Sequence, residues 1–140
     1  MQLAVFVVED NAEIQENLAG ALEELTCVKV VGGTATEEGA LDWVAAHDDW
    51  DMLIVDLFLK GGSGMRFVQR VQRARPEQKI IVFSNYVNAS VRKRCAQLGV
   101  DAVFDKSTEI DALVDYCSHQ CTVMGAHAPA TPEQPTGDSP

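Results

Sequence analysis

Four separate stretches of this sequence end in side chains that can bind a metal ion or a phosphate. Glu9 and Asp10 follow one run of apolar residues, Asp56 follows a second, Ser84 follows a third, and Lys106 comes shortly after a fourth. Crowded carboxylates repel each other, and a hard divalent cation such as Mg²⁺ relieves that repulsion. A lysine and a hydroxyl beside them can contact phosphoryl oxygens. The set favours phosphoryl transfer to a carboxylate nucleophile, in which positioning and charge neutralisation do most of the catalysis.

Each of these residues also has an ordinary interpretation when it is taken alone. Acidic residues before a helix complement the helix dipole, and a single serine or lysine is commonly a turn residue or a solvated side chain. What favours a common site is that all of them fall at the same end of separate apolar runs.

The elements that would position these residues alternate along the chain. Short apolar runs separate segments whose apolar residues recur at helical spacing. The runs are Leu3–Val8, Cys27–Val31, Met52–Val55, Lys79–Phe83 and Ala102–Phe104. The predicted helix starts are Asn11, Thr36, Ser63 or Gly64, Asn88 or Ser90, and Ser107. This alternation predicts an α/β fold of the (βα)₅ type, a doubly wound five-stranded parallel sheet. Ligands of such sheets bind beyond the carboxyl ends of the strands, where the candidate residues fall.

Charge and cysteine content restrict the classes of function. The chain has 140 residues, 11 of them basic and 21 acidic, and a net charge of −10. This charge opposes binding to nucleic acid and to anionic membranes. The apolar run at the N-terminus is too short for a secretion signal or a membrane span. The four cysteines are scattered without a Cys-x-x-Cys pair, at Cys27, Cys95, Cys117 and Cys121. We therefore expect reduced thiols and a cytoplasmic protein.

The periodic pattern stops before the C-terminus. We expect one domain over residues 1–121 and a disordered, proline-rich tail over residues 122–140. The tail prolines are Pro129, Pro132, Pro135 and Pro140. Their even spacing leaves a polyproline ligand for a partner as an alternative to a solvated tail.

Several short motifs occur in a specific order along the five predicted strands. They are Val7–Asn11, Leu53–Leu57, Val82–Ser84, Gly64 eight residues after Asp56, and Gly99 seven residues before Lys106. With this set the chain, from Gln2 to about Gln120, resembles the receiver domains of response regulators in two-component signalling. The resemblance implies a flavodoxin-like sheet with strand order 2-1-3-4-5.

The resemblance also implies a role for each candidate residue. Asp56 would be the phosphoacceptor. The ligands of a Mg²⁺ cofactor would be Glu9, Asp10, Asp56 and the main-chain carbonyl of Phe58. The groups that contact the phosphoryl oxygens would be Ser84 and Lys106.

Partners follow from the same resemblance. It implies a signalling domain that at most catalyses its own phosphorylation and dephosphorylation. The phosphodonor would be a histidine kinase or a histidine phosphotransfer protein. The downstream protein would bind the fourth helix, fifth strand and fifth helix. We expect a stand-alone receiver that signals through protein contacts, with neither nucleic acid nor membrane as a partner.

The chain departs from the family pattern at several positions. Glu9 stands where the family often has aspartate, and Ser107 stands where it usually has proline. Val103 occupies the place of the usual switch aromatic, and strand alternation predicts that Phe104 points to the opposite face of the sheet. Phe58 and Tyr86 would flank the phosphoryl group. We hypothesise that their rings exclude water and slow dephosphorylation, with surface packing as the alternative.

Three other functions are alternatives to this one. A haloacid-dehalogenase-type phosphatase would need an aspartate two residues after Asp56, where Phe58 stands. A flavodoxin-like cofactor binder would need a phosphate-binding loop after the first strand, where the chain is acidic. A degenerate receiver that works unphosphorylated is disfavoured by the presence of both Asp56 and Lys106.

Overall fold

Five parallel strands and five helices alternate along the part of the chain that the computed structural model describes, residues 2–126. The strands are β1 (Leu3–Val8), β2 (Val28–Thr34), β3 (Met52–Val55), β4 (Lys79–Ser84) and β5 (Ala102–Asp105). The helices are α1 (Ala12–Leu25), α2 (Glu37–Ala46), α3 (Gly64–Arg70), α4 (Ala89–Gln97) and α5 (Ile110–Ala126).

The strands form one sheet in the order β2-β1-β3-β4-β5, and every neighbouring pair is parallel. All four residues of β3 are buried, as are five of the six residues of β4. Their nearly continuous apolar sequence is typical of strands with helices on both faces. The predicted fold class and strand order are confirmed.

The core consists of two apolar layers, one on each face of the sheet. On one face, Leu18 and Leu22 of α1 and Leu113 of α5 pack against β1, β3 and β4. On the other face, Phe67 of α3 and Cys95 of α4 cover the same strands, together with residues of α2. Burying a leucine or phenylalanine side chain contributes about 2 kcal/mol, so these layers hold the strand ends in fixed relative positions.

Polar side chains bind main-chain groups at the amino-terminal edge of the sheet. Gln78 is fully buried. Its side-chain amide forms hydrogen bonds of 2.6–3.1 Å with four main-chain groups. Asp51 accepts a hydrogen bond from Ala4 N at 2.7 Å. Asp101 accepts hydrogen bonds from Ile80 N at 2.8 Å and from Arg73 at 2.7 Å. These contacts join the starts of β1, β3, β4 and β5.

Four of the predicted helix caps are confirmed, and one is wrong. Side-chain oxygens of Asn11, Thr36, Ser63 and Asn88 each accept the main-chain N–H three residues later. Ser107 does not cap α5. Its amide and hydroxyl both donate to Asp105 Oδ1, at 2.8 and 2.6 Å, and α5 begins only at Ile110. The carboxylate two residues earlier therefore holds Ser107 in a turn.

The expectation of four reduced thiols is wrong, because Cys27 and Cys121 form a disulfide. Cys27 lies directly before β2 and Cys121 lies on α5, and both pack against the α1–α5 core layer. Packing brings them together although their sequence separation is 94. Cysteines so far apart in the sequence give no local signal that they pair. Cys95 and Cys117 are free and buried. The cysteines therefore do not support the expected cytoplasmic location.

The last helix continues past the predicted domain end at residue 121. α5 reaches Ala126, since Met124 still packs against the core. Residues 122–126 are thus helical, and the rest of the predicted tail, 127–140, lies outside the described residues. Among residues 2–126, no helix combines the length and apolar character needed to cross a membrane.

Candidate functional site

The candidate residues meet at the carboxyl edge of the sheet because the parallel hydrogen-bond ladder continues past the strands. Glu9 N donates to Thr34 O, Asp56 N donates to Val8 O, and Lys106 N donates to Ser84 O, each at 2.9 Å. These bonds fix the main chain of each residue relative to the neighbouring strand. The side chains therefore emerge at one edge, as the strand-end rule predicts.

Three carboxylates form the acidic part of this site. One oxygen from each of Glu9, Asp10 and Asp56 lies within 4.8 Å of the other two. Glu9 and Asp56 are buried, and Asp10 is half-buried. An oxygen-only set with several carboxylates suits a hard cation such as Mg²⁺. The chemistry of these donors thus fits the metal that the sequence predicts.

The loop between β3 and α3 borders the carboxylates. Phe58 N donates to Asp56 Oδ1 at 3.1 Å, and Lys60 N donates to Asp10 Oδ2 at 2.7 Å. Phe58, whose carbonyl was predicted as a metal ligand, lines the same cavity as the carboxylates. The loop therefore orients two of the three acidic side chains.

Lys106 supplies the positive charge of the site. Its ammonium donates to Asp56 Oδ2 at 2.8 Å and also to Glu9 Oε1. Its side chain is 10% exposed. Burial disfavours the charged form of Lys106, but hydrogen bonds to Asp56 and Glu9, together with the attraction of their charges, raise its pKa above the usual value. The lysine is therefore a permanent cation against two of the three carboxylates.

Ser84 completes the contacts of Asp56. It is the last residue of β4, is fully buried, and donates from Oγ to Asp56 Oδ1 at 2.9 Å. Both oxygens of Asp56 thus have a side-chain hydrogen-bond donor.

All six predicted site residues line one open cavity of about 210 Å³. Asn11, Ile14 and Asn85 also line it and were not predicted. Asn85 directly follows Ser84, so its position after a strand was a usable signal. Ile14 lies one helical turn after the cap Asn11. An apolar residue at that position of a helix predicts a core residue, so the sequence contains no sign that Ile14 lines the cavity.

Two aromatic rings stand at the rim of the cavity. Phe58 and Tyr86 are 53% and 70% exposed, and they meet edge to face with ring centres 5.4 Å apart. The prediction that Val103 and Phe104 point to opposite faces of the sheet is confirmed. Val103 packs on the α4 side of the sheet, whereas Phe104 packs on the α5 side against Tyr116. Phe104 thus does not take the place that Val103 leaves.

An apolar groove adjoins the site between α1 and α5. Its volume is about 370 Å³, and its apolar walls include Leu18, Ala21, Phe83 and Ile110. It shares Ile14, Asn85 and Lys106 with the cavity above Asp56. A molecule that approaches the carboxylates from this side meets an apolar surface first.

Known proteins share this architecture. The family model of the response regulator receiver domain matches residues 5–118. Among relatives, the response regulator UvrY of Escherichia coli is 24% identical over 102 residues, which are 73% of this chain and 46% of that protein. The chain spans about half the length of the curated relatives it matches.

Solved structures agree in fold. The CheY-like receiver domain protein from Methanospirillum hungatei has a TM-score of 0.73 and 18% identity, covering 91% of this chain and all of that one. A response regulator from Burkholderia pseudomallei, solved with a phosphorylated aspartic acid, calcium ion and citrate, has a TM-score of 0.72 and 20% identity, covering 89% of this chain and 72% of that one. Since the family model covers most of the sequence and the strand order agrees, the chain belongs to the response regulator receiver domains of two-component signalling.

Proposed function

We propose that this domain accepts a phosphoryl group on Asp56 from a histidine kinase or a histidine phosphotransfer protein, with Mg²⁺ as cofactor. The observation that carries the proposal is the environment of the Asp56 carboxylate. Its oxygens lie on an open cavity, one within reach of Ser84 and the other within reach of Lys106. This arrangement suits a nucleophile whose product carries added negative charge.

The proposed step exchanges one bond at phosphorus for another. A carboxylate oxygen of Asp56 forms a P–O bond as the P–N bond to the donor histidine breaks, and the imidazole leaves with the electron pair. Ser84 and Lys106 then donate to phosphoryl oxygens instead of to the free carboxylate. Glu9, Asp10, Asp56 and the Phe58 carbonyl would hold the cation, which neutralises charge on the phosphoryl oxygens.

The groove between α1 and α5 is the proposed contact for the phosphodonor. A donor protein must bring its histidine to Asp56 and must cover surface around the opening. The groove is mostly apolar and shares three residues with the site. An amphipathic helix carrying the phosphohistidine fits both features.

The proposed output is a contact with a downstream protein at α4, β5 and α5. Arg92 of α4 already bridges this region, donating to Val103 O at 3.0 Å and to Glu109 at 3.1 Å. Movement of Ser84 or Lys106 toward a phosphoryl group would perturb the neighbouring ends of β4 and β5. Neither nucleic acid nor a membrane is a proposed partner, given the net charge of −10. The proposed location is the cytoplasm, although a disulfide such as Cys27–Cys121 is unusual in that reducing compartment.

Incubation with acetyl phosphate tests the proposal. We expect intact-mass analysis to show one added phosphoryl group in the wild type with Mg²⁺, and none after chelation with EDTA. Asp56→Asn should gain none, whereas Asp115→Asn, which changes an exposed aspartate on α5, should behave as the wild type. Labelling of Asp56→Asn, or no labelling of the wild type, would contradict the proposal.

A further inference from the structure

Glu37 is a buried carboxylate outside the candidate site. It is the first residue of α2, and its side chain is only 8% exposed. A carboxylate in that setting needs hydrogen bonds or a paired cation. Its partners therefore identify the part of the fold that it holds in place.

The Glu37 carboxylate has its polar partners on the β3–α3 loop and on α3. Its Oε1 accepts from Ser63 N at 2.9 Å, and its two oxygens accept from the Arg66 guanidinium at 2.7–3.0 Å. Arg70 lies 3.8 Å from Oε2. The main-chain N–H of Glu37 donates to Gly61 O at 3.0 Å. One residue thus binds the loop at two main-chain points and α3 through an ion pair.

The loop is packed against Glu37 without spare room. Gly62 has a φ of 112°, and a Cβ built there would lie 2.5 Å from Glu37 Cβ. Only glycine adopts that backbone conformation easily and fits that space. The loop also closes on itself, through a bridge between Phe58 and Ser63. Displacing Ser63 would therefore displace Phe58.

The same loop contacts the acidic site. Lys60 N donates to Asp10 Oδ2 at 2.7 Å, and Lys60 is bonded covalently to Gly61, the residue whose carbonyl Glu37 binds. Phe58 N donates to Asp56 Oδ1 at 3.1 Å. A path of bonds thus runs from the main-chain N–H of Glu37 through Gly61 and Lys60 to Asp10, while the Glu37 carboxylate holds the other end of the same loop at Ser63, which is bridged to Phe58.

We propose that Glu37, through Arg66 and the β3–α3 loop, positions Asp10 and the Phe58 carbonyl and so sets the affinity of the acidic site for a divalent cation. The inference rests on the proposed function, since it assigns the cation to that site. Glu37 is a positioning residue, because its carboxylate bonds the loop and α3 and acts on the acidic site through them. Groups that orient metal ligands commonly change metal affinity by about 10- to 100-fold when they are removed.

The test uses Glu37→Gln and a matched control at the opposite edge of the sheet. Asp101→Asn also removes a carboxylate that accepts one arginine and one main-chain N–H. Mg²⁺ binding is titrated by calorimetry on each folded protein, and hydrogen exchange of the Lys60 amide is followed by NMR without metal. Thermal melts of both variants set a temperature at which each is folded.

We expect Glu37→Gln to bind Mg²⁺ about tenfold more weakly than the wild type and to exchange the Lys60 amide faster. Asp101→Asn should keep both properties even if its melting temperature falls as far. Unchanged Mg²⁺ affinity and unchanged Lys60 exchange in Glu37→Gln would overturn the inference, as would equal weakening in Asp101→Asn. If the wild type binds no Mg²⁺, the cofactor of the proposed function fails, and Lys60 exchange alone decides whether Glu37 positions the loop.

Discussion

Breaking the Cys27–Cys121 disulfide should remove a large part of the stability of this domain. The bond joins the start of β2, an edge strand, to α5 on the same face of the sheet. The closed loop includes all the candidate site residues that follow Cys27. Reduction removes no secondary structure from the folded state. It lets the two joined segments move independently in the unfolded chain, which raises the conformational entropy of that state.

The expected magnitude follows from the length of the closed loop. With a sequence separation of 94 between the two cysteines, the loss of unfolded-chain entropy stabilises the domain by about 4–5 kcal/mol. Domains of this size have total stabilities of about 5–15 kcal/mol. For a domain of this length the loss corresponds to a fall in melting temperature of roughly 15 °C. The reduced protein should thus still fold, but with little reserve.

Urea unfolding measures this difference. We expect reduction by dithiothreitol to lower the unfolding free energy of the wild type by about 4 kcal/mol. The Cys27→Ser/Cys121→Ser double variant should have the same unfolding free energy as the reduced wild type, and dithiothreitol should not change it. Cys117 serves as an internal control, because it is buried and burial raises its pKa to about 12. Its thiol should stay unreactive in the folded state.

Two results would refute this reasoning. One is an air-oxidised wild type that shows four titratable thiols after unfolding, which means that no disulfide forms. The other is a disulfide that forms but whose reduction changes the unfolding free energy by less than about 1 kcal/mol. In that case the packing of α5 alone would hold the two ends together.

The remaining predictions concern the aromatic rim, the Glu37 ion pair and a buried amide. Phe58→Asn should shorten the phosphoryl lifetime several-fold by admitting water, as followed by mass after removal of the donor; an unchanged lifetime contradicts this. The pKa of Glu37 is lowered from 4.5 to about 2, chiefly by the hydrogen bond from its arginine partner, so its stabilisation is complete above pH 4.5 and is lost as the pH falls toward 2. In urea unfolding, the deficit of Glu37→Gln should therefore shrink over that range, and equal shrinkage for the exposed Glu38→Gln would contradict this cause. Gln78→Ala should lower the unfolding free energy by about 3 kcal/mol, since four main-chain groups lose partners; the exposed Gln72→Ala is the control, and similar losses in both would exclude the mechanism.

Much of the fold was predictable because local signals agreed with the packing. Apolar runs marked the strands that are buried on both faces, and Asn11, Thr36, Ser63 and Asn88 marked helix starts. Ser107 gives the same local signal but does not cap a helix, because its amide and hydroxyl donate to the carboxylate of Asp105. A cap prediction thus depends on competing acceptors nearby as well as on the residue type.

The sequence indicated which residues lie together at the carboxyl edge, but not the hydrogen bonds among them. Position after a strand identified Glu9, Asp10, Asp56, Ser84 and Lys106. The sequence could not show that Lys106 contacts Glu9 as well as Asp56, because this depends on the reach of two long side chains. Glu37 was missed because an acidic residue in a first helical turn is ordinary. Its burial arises only when a loop from another part of the chain packs over it.

The two edges of the sheet hold their polar groups in different ways, and this decides which parts can respond to a change in charge. At the amino-terminal edge, Asp51 and Asp101 accept main-chain N–H groups of β1 and β4, and Gln78 binds main-chain groups of the segments that precede β3 and β4. At the opposite edge, the Lys106 ammonium and the Ser84 hydroxyl are held by hydrogen bonds to the carboxylates of Asp56 and Glu9. A new negative charge beside Asp56 would therefore be accommodated by side-chain rotation, loop displacement and shifts at the carboxyl ends of β4 and β5, while the amino-terminal ends of the strands act as a fixed base. We therefore expect a signal to pass along the carboxyl edge, because the starts of β1, β3, β4 and β5 are joined to each other at the opposite edge.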